Sequence, residues 1–157
     1  MLPADAPAGL GIPASVDVRD VKVRDVLDAV CAGCRLKMLP LKDSERGLLL
    51  TADESPAKAE TLAALGAAGA RPIHRKDKVL STADVSRILR EVVAEARLPG
   101  LVMTGYPRRL TKEEELEGGK PAEQIVAKCA ALVGATAGVR GRLVVIEAPL
   151  SKPTDKQ

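Results

Sequence analysis

Phenylalanine and tryptophan are absent from this chain of 157 residues, and Tyr106 is the only member of the Phe, Tyr and Trp set that it contains. A core without large rings is built from Leu, Val, Ile and Ala, and it lacks the anchors that dominate many interfaces. The same absence argues against binding of single-stranded nucleic acid, which relies on stacking platforms. Histidine occurs once, at His74, so no metal cluster can be built on that residue type, and the cations around it argue against a general base. Amid the cations of Arg71 to Lys78 it is expected to be an exposed loop residue. No stretch approaches the ~20 apolar residues of a membrane-spanning helix. The opening MLPADAPAGLGIPAS has neither the basic start nor the sustained apolar run of a secretory signal, so a cytoplasmic location is expected. A glycine-rich phosphate loop with its lysine is missing as well.

Cysteine is scarce and odd in number, which suits a reducing compartment. Cys31 and Cys34 have the CxxC spacing, but they end a helical pattern rather than begin one, so the helix dipole does not activate them. Cys129 and His74 offer no paired spacing for zinc. Cys31 and Cys34 continue the apolar side of their helix, and core packing is the expected role.

What is present is ordinary for a soluble globular protein: 46% hydrophobic and 29% charged residues, with acids and bases interspersed and a net charge of +3. The length suits one core. We expect a flexible lead over residues 1–14, a single α/β domain over 15–150 with a sub-boundary near 81, and a loose tail over 151–157.

Residues 15–20 alternate in the manner of a strand. Val23, Val26, Leu27, Val30, Cys31 and Cys34 then form one stripe of an amphipathic helix. Residues 38–41 and 47–51 read as short strands, with Pro40 keeping the first at an edge. Ser55 and Pro56 are expected to open a helix running to Leu65, ended by Gly66 and Gly69. The basic segment 70–80 reads as a hairpin arm or a loop. Ser81 caps a helix whose buried side is Val85, Ile88, Leu89, Val92, Val93 and Ala96. A buried strand follows at 101–104. Thr111 and Glu114 have the spacing of a capping box, which predicts a short helix broken at Gly118-Gly119. There Glu113, Glu114 and Glu115 suit a helix start for dipole reasons. Lys120-Pro121 opens a further helix lined by Ile125, Val126, Cys129, Ala130 and Val133 and closed by Gly134 and Gly138. Residues 142–147 form a strand apolar on both sides, as in a parallel sheet covered by helices. No internal repeat at a fixed period is apparent. The expected fold is α/β: a small parallel-type sheet with flanking helices and a right-handed crossover.

The stretch that carries most information is the end of the 101–104 strand, where Gly105-Tyr106-Pro107-Arg108-Arg109 makes a sharp corner. Strand ends of this kind are where α/β folds hold ligands. Gly105, Tyr106, Arg108 and Arg109 are the candidate ligand-binding residues. The Arg108 guanidinium suits a phosphate or a partner's carboxylate, and equally an internal pair with Glu147.

Thr104-Gly105-Tyr106-Pro107-Arg108, with the helix before it, resembles the adenylate kinase (nucleoside monophosphate kinase) family. Residues 143–149 are similar to that family's next parallel strand, and residues 23–27 to one of its helices. The resemblance implies an incomplete adenylate-kinase-like fold. The phosphate loop and the arginine-rich lid have no counterpart. Thr104 stands where the family has an acid, Lys112 where it has a glutamine, and Asp28 where it has an arginine. Only Arg108 survives of the catalytic set, and phosphoryl transfer depends on the whole set.

Residues 15–82 also resemble the small βαββαβ domain at the N-terminus of secretins and related outer-membrane receptors, through residues 16–27 and 69–80. The first resemblance implies a non-catalytic structural or interaction component of a larger assembly, in a cytoskeletal or ciliary setting. The second implies an envelope-assembly domain. A small nucleotide-binding transferase using Arg108 is the third alternative. No cofactor and no metal are expected, and the partners expected are proteins.

Overall fold

A computed structural model describes residues 8–40, 48–55, 58–74, 76–110 and 112–152. At its centre lies a four-stranded sheet in the order β1-β6-β10-β9, formed by β1 (Ala14–Val18), β6 (Gly100–Thr104), β10 (Leu143–Glu147) and β9 (Thr136–Arg140). The fold is thus mixed α/β. Only the β6–β10 pair is parallel, with Val102 opposite Val145, and the pairs β1–β6 and β10–β9 are antiparallel. The parallel-type sheet expected from the sequence is corrected to a mixed one. Residues 136–140, whose glycine reads as a helix stop, form an antiparallel hairpin strand instead.

Alternation along β6 and β10 sends side chains to two sides. Leu101, Val144 and Ile146 join a large buried cluster with α3 (Thr82–Glu95) and α4 (Ala122–Leu132). Val102, Leu143 and Val145 meet Ala29 of α1 (Val23–Gly33) on the other side. Helix α3 buries the residues its spacing predicts, and Ser81 caps it, its Oγ accepting from the Asp84 N–H at 3.3 Å. Helix α4 likewise buries Ile125, Val126, Cys129 and Ala130.

The hairpin β2 (Leu36–Pro40) and β3 (Leu48–Ala52) stands apart from the main sheet. One of its sides packs Leu36, Met38 and Leu50 around Cys31 and Cys34, which are free thiols in a core. Burial raises the pKa of both thiols, helped by the Asp28 carboxylate at Cys31 and by Cys31 itself at Cys34. The other side leaves the cross-strand pair Leu39 and Leu49 exposed.

Several local expectations are overturned by contacts distant in sequence. The helix expected over 55–65 is absent from the described residues. Glu60 instead exchanges two backbone hydrogen bonds with Val139 at 2.9 and 2.8 Å, leaving a single 3-10 turn at 62–65 and a short helix α2 (Ala67–Ala70). Gly138 makes this possible, since a Cβ there would lie 2.7 Å from the Ala59 Cβ. The bridge also covers the free edge of β9.

Segment 70–80, expected as a hairpin arm or a loop, holds among its described residues two short strands that do not pair with each other. Its strands β4 (Pro72–Ile73) and β5 (Asp77–Val79) pair instead with β8 (Lys120–Pro121) and β7 (Glu114–Leu116). Where a capped helix is predicted after the corner, β7 is therefore a strand. The six residues between Thr111 and Gly118 are too few for a stable helix, whereas pairing with β5 buries Leu116 beside Val79. Thr111, the expected cap, lies outside the described residues, as do Pro56, residues 1–7 of the expected lead and residues 153–157 of the expected tail. Lys120-Pro121 is strand rather than helix start, and α4 begins at Ala122. Residues 8–14 of the expected lead are ordered as a 3-10 turn and the start of β1.

The structure also contains a short repeat of strand, helix, strand and strand. The order strand, helix, strand, strand occurs as β1-α1-β2-β3 and again as β5-α3-β6-β7. Both helices are followed by an arginine in the left-handed region, Arg35 at φ 57° and Arg97 at φ 59°. Their closing hydrogen bonds match: the Arg35 N–H donates to Ala32 and the Arg97 N–H to Ala94. Aligned on these arginines, Val26, Leu27, Val30, Cys31, Cys34 and Leu36 fall on Ile88, Leu89, Val92, Val93, Ala96 and Leu98. The strand pairings of the two units differ, so the likeness is one of local structure.

Candidate functional site

The Gly-Tyr-Pro-Arg corner lies at the carboxyl end of β6, beside the end of β10, as the sequence predicts. The backbone N–H groups of Gly105, Tyr106 and Arg108 are all engaged. The Gly105 N–H donates to the Pro13 carbonyl at 2.9 Å, the Tyr106 N–H to Pro149 at 2.7 Å, and the Arg108 N–H to Val133 at 2.8 Å. Pro107 has no N–H to offer. Three segments far apart in sequence therefore meet at this corner: the chain before β1, the turn after α4, and the chain after β10. Cradling an anion requires successive N–H groups that face the ligand, and here each faces a protein carbonyl.

Side chains of the corner follow the same plan. Gly105 adopts φ 91°, and a Cβ at that position would collide with the Ala148 carbonyl oxygen. Glycine is thus required both by conformation and by space. The Tyr106 hydroxyl donates to the Gly11 carbonyl at 3.3 Å, adding a second tie to the N-terminal segment. Arg108 lays its methylene stem against Gly134, whose φ of 70° and missing Cβ leave room for it. The Arg108 guanidinium is exposed, and no ion pair joins it to Glu147 among the described residues. Arg109 is exposed beside it.

The residues that depart from the kinase pattern have structural roles or none. Thr104 is buried under α1, where Gly33 lies against its hydroxyl, and its Oγ1 has no hydrogen-bond partner. Lys112 pairs with Glu114 at 3.6 Å on the surface. Asp28 is exposed on α1, on the far side of the sheet from α3. The structure therefore does not gather Arg108, Thr104, Lys112 and Asp28 around one point.

Next to the corner the structure does form a cavity of about 290 Å³, between the start of β1 and the N-terminal half of α3. Gly105 and Pro107 line it, whereas Tyr106, Arg108 and Arg109 do not. Its other walls include Ser15 of β1, Val85, Ser86, Leu89 and Arg90 of α3, and Met103 of β6. Sequence reading missed this site because its residues are spread from Pro13 to Ala148. The one available signal is Arg90, a cation one step outside the apolar stripe of its helix.

Elsewhere, titratable groups are structural. Arg87 meets Asp84 and Glu91 at 3.5 and 3.1 Å, and the Leu80 N–H with Arg87 holds the Asp84 carboxyl below its ordinary pKa. Burial pushes the Cys129 thiol up to about 12. Among the described residues, no group of three or more His, Cys, Asp and Glu side chains is placed to hold a metal ion. No helix among them is long and apolar enough to cross a membrane. No protein-family model matches this chain, and no curated protein or solved structure is significantly similar to it. What defines its class is therefore the mixed α/β fold itself, with a corner that binds its own chain ends together.

Proposed function

We propose that this chain is a non-catalytic interaction module of a larger protein assembly, engaged through the outer side of α1 by an amphipathic helix of a partner protein. The observation that carries this reading is the comparison of α1 with α3. Val23 and Leu27 are 73% and 39% exposed, while Val85 and Leu89, at the corresponding positions of α3, are 2% and 1% exposed. Within the second unit the covering element is a helix, α4, which packs along α3. A helix is the natural occupant of the equivalent ridge on α1. Asp25 and Asp28 are exposed one turn apart on α1, which favours a partner helix with basic residues on its flank.

The corner supports the same reading from the other direction, because its N–H groups serve the fold. Leucine exposure at Leu39 and Leu49 adds a second apolar surface on the hairpin. The test is recovery of the native particle by size-exclusion chromatography. Leu27→Asp is expected to leave the thermal midpoint nearly unchanged and to release the chain from the particle. Saturable protection by AMP or ATP that disappears in Arg108→Ala would contradict the proposal, since a ligand at 100 times its Kd adds about 2.7 kcal/mol to stability.

An envelope-assembly setting of the secretin N-terminal type is a second reading, favoured by one specific observation. Residues 14–73 contain strand, helix, two strands, a short helix and a strand, in the order β1-α1-β2-β3-α2-β4. That is the βαββαβ succession which the resemblance of residues 15–82 implies. A leader peptide encoded upstream would favour this setting over the cytoskeletal or ciliary one implied by the kinase resemblance.

A further inference from the structure

The cavity beside the corner is built differently from the corner. Its floor is apolar, formed by Val85, Leu89 and Met103 at the carboxyl end of the parallel pair β6 and β10. Ser15 and Ser86 place hydroxyls on its walls, and Arg90 stands at its side. Open sheets of this kind commonly bind ligands at the carboxyl ends of their parallel strands. A largely apolar pocket with a few polar groups is the usual form of a small-molecule site.

Arg90 distinguishes this cavity from a simple packing gap. One turn away on the same helix, Arg87 has three carboxylates around it, Asp77 at 4.0 Å, Asp84 at 3.5 Å and Glu91 at 3.1 Å. Arg90 is exposed and pairs with no carboxylate among the described residues. The helix thus carries one arginine neutralised by the fold and one beside an apolar cavity with its charge available.

We propose that this cavity binds a small amphipathic carboxylate, with its alkyl chain on Val85, Leu89 and Met103 and its carboxylate on the Arg90 guanidinium. The guanidinium fork matches a carboxylate with two parallel hydrogen bonds, and the Ser86 hydroxyl supplies a further donor. A single cation balances a single negative charge, so a monoanion fits where a phosphate dianion would leave charge uncompensated beside apolar surface. The event is reversible binding without a chemical step. Pro13 and Gly105 share the cavity wall and are joined by a hydrogen bond, so an occupant braces the attachment of the N-terminal segment to the corner. This site lies on the opposite side of the sheet from α1, and its existence does not depend on the partner surface there.

The test is titration calorimetry of the full chain with octanoate below its micellar concentration, with octanol and acetate as controls. Saturable one-to-one binding of octanoate is expected, with octanol and acetate much weaker. Arg90→Gln is expected to weaken octanoate about tenfold, in keeping with loss of a charged hydrogen bond. Arg108→Gln, outside the cavity, is expected to leave it unchanged. Ser86→Leu, which fills the space above Leu89, is expected to abolish binding, and the thermal midpoints of the unliganded variants show that the fold persists. Three outcomes each overturn the proposal: no saturable octanoate binding, octanol binding as tightly as octanoate, or full affinity in Arg90→Gln.

Discussion

Helices α1 and α3 carry nearly the same apolar pattern and end on the same left-handed arginine, yet they are buried to very different degrees. The difference lies in their neighbours. Helix α3 is enclosed by β6, by β5 and by α4, and the cluster around it holds most of the buried core. Helix α1 packs inward on β6 and β10 and toward the hairpin at its end, and it leaves Val23 largely and Leu27 partly exposed. Similar apolar stripes therefore produce a core helix in one unit and a half-covered one in the other. The lesson is that an apolar stripe specifies what a helix can bury, while the covering element decides what it does bury.

The comparison breaks most visibly in paired truncations. Leu89→Ala is expected to destabilise the chain by about 2–5 kcal/mol, as for a filled core position. Leu27→Ala at the matching site is expected to cost no more than about 0.5 kcal/mol in the isolated chain. Equal effects in urea unfolding would show that the two helices are equally buried in solution. The corner provides the next largest effect. Gly105→Ala introduces a side chain at φ 91° against the Ala148 carbonyl, and a loss of about 2–3 kcal/mol is expected. Arg108→Ala, whose backbone bond is retained, is expected to change stability little in the same assay.

Thiol chemistry sharpens the contrast between the two units. Cys129 lies among α4 and its neighbours with a pKa pushed up to about 12, while Cys31 and Cys34 are raised by lesser burial beside the hairpin. A thiol whose folded pKa exceeds its unfolded value of 9.0 favours the folded state fully below pH 9. That contribution is lost as pH rises from about 9 toward 12, so alkaline unfolding is expected in that window and is expected to weaken in Cys129→Ala. With a thiol reagent at neutral pH, Cys31 and Cys34 are expected to react before Cys129. The smallest effect tests the repeat itself. Arg35→Gly and Arg97→Gly relieve the left-handed strain at both helix ends, and each is expected to raise stability by about 0.5–1 kcal/mol. A gain at one site with a loss at the other would show that the two helix ends are not equivalent.

Much of the fold was legible in the sequence, and what was legible was local. The stripe of α3 and its serine cap, the face of α4, the strands β1, β2, β3, β6 and β10, and the parallel relation of β6 to β10 follow from spacing and residue type. The elements that were not legible are those set by distant partners. Residues 114–116 carry a helix-start pattern and become a strand because β5 is there to pair with them. Residues 58–61 carry a helical composition and become a bridge because Gly138 leaves space on β9. The repeat is present in the sequence, where Val23, Leu27, Val30, Ala32, Arg35 and Leu36 recur as Val85, Leu89, Val92, Ala94, Arg97 and Leu98, but a single recurrence of one helix gives no periodic signal.

The candidate site divides in the same way. From the sequence alone one obtains the corner, its glycine and its arginines, because a Gly-Tyr-Pro-Arg run after an apolar strand has few other conformations. Only the tertiary structure determined what the corner is for, by directing each of its N–H groups to a carbonyl of a different segment. It also determined that Val23 and Leu27 keep exposed surface and that a cavity forms with Arg90 on its wall. Spacing governs bonds made within a few residues, whereas burial, pairing and cavities are properties of chains brought together from far apart.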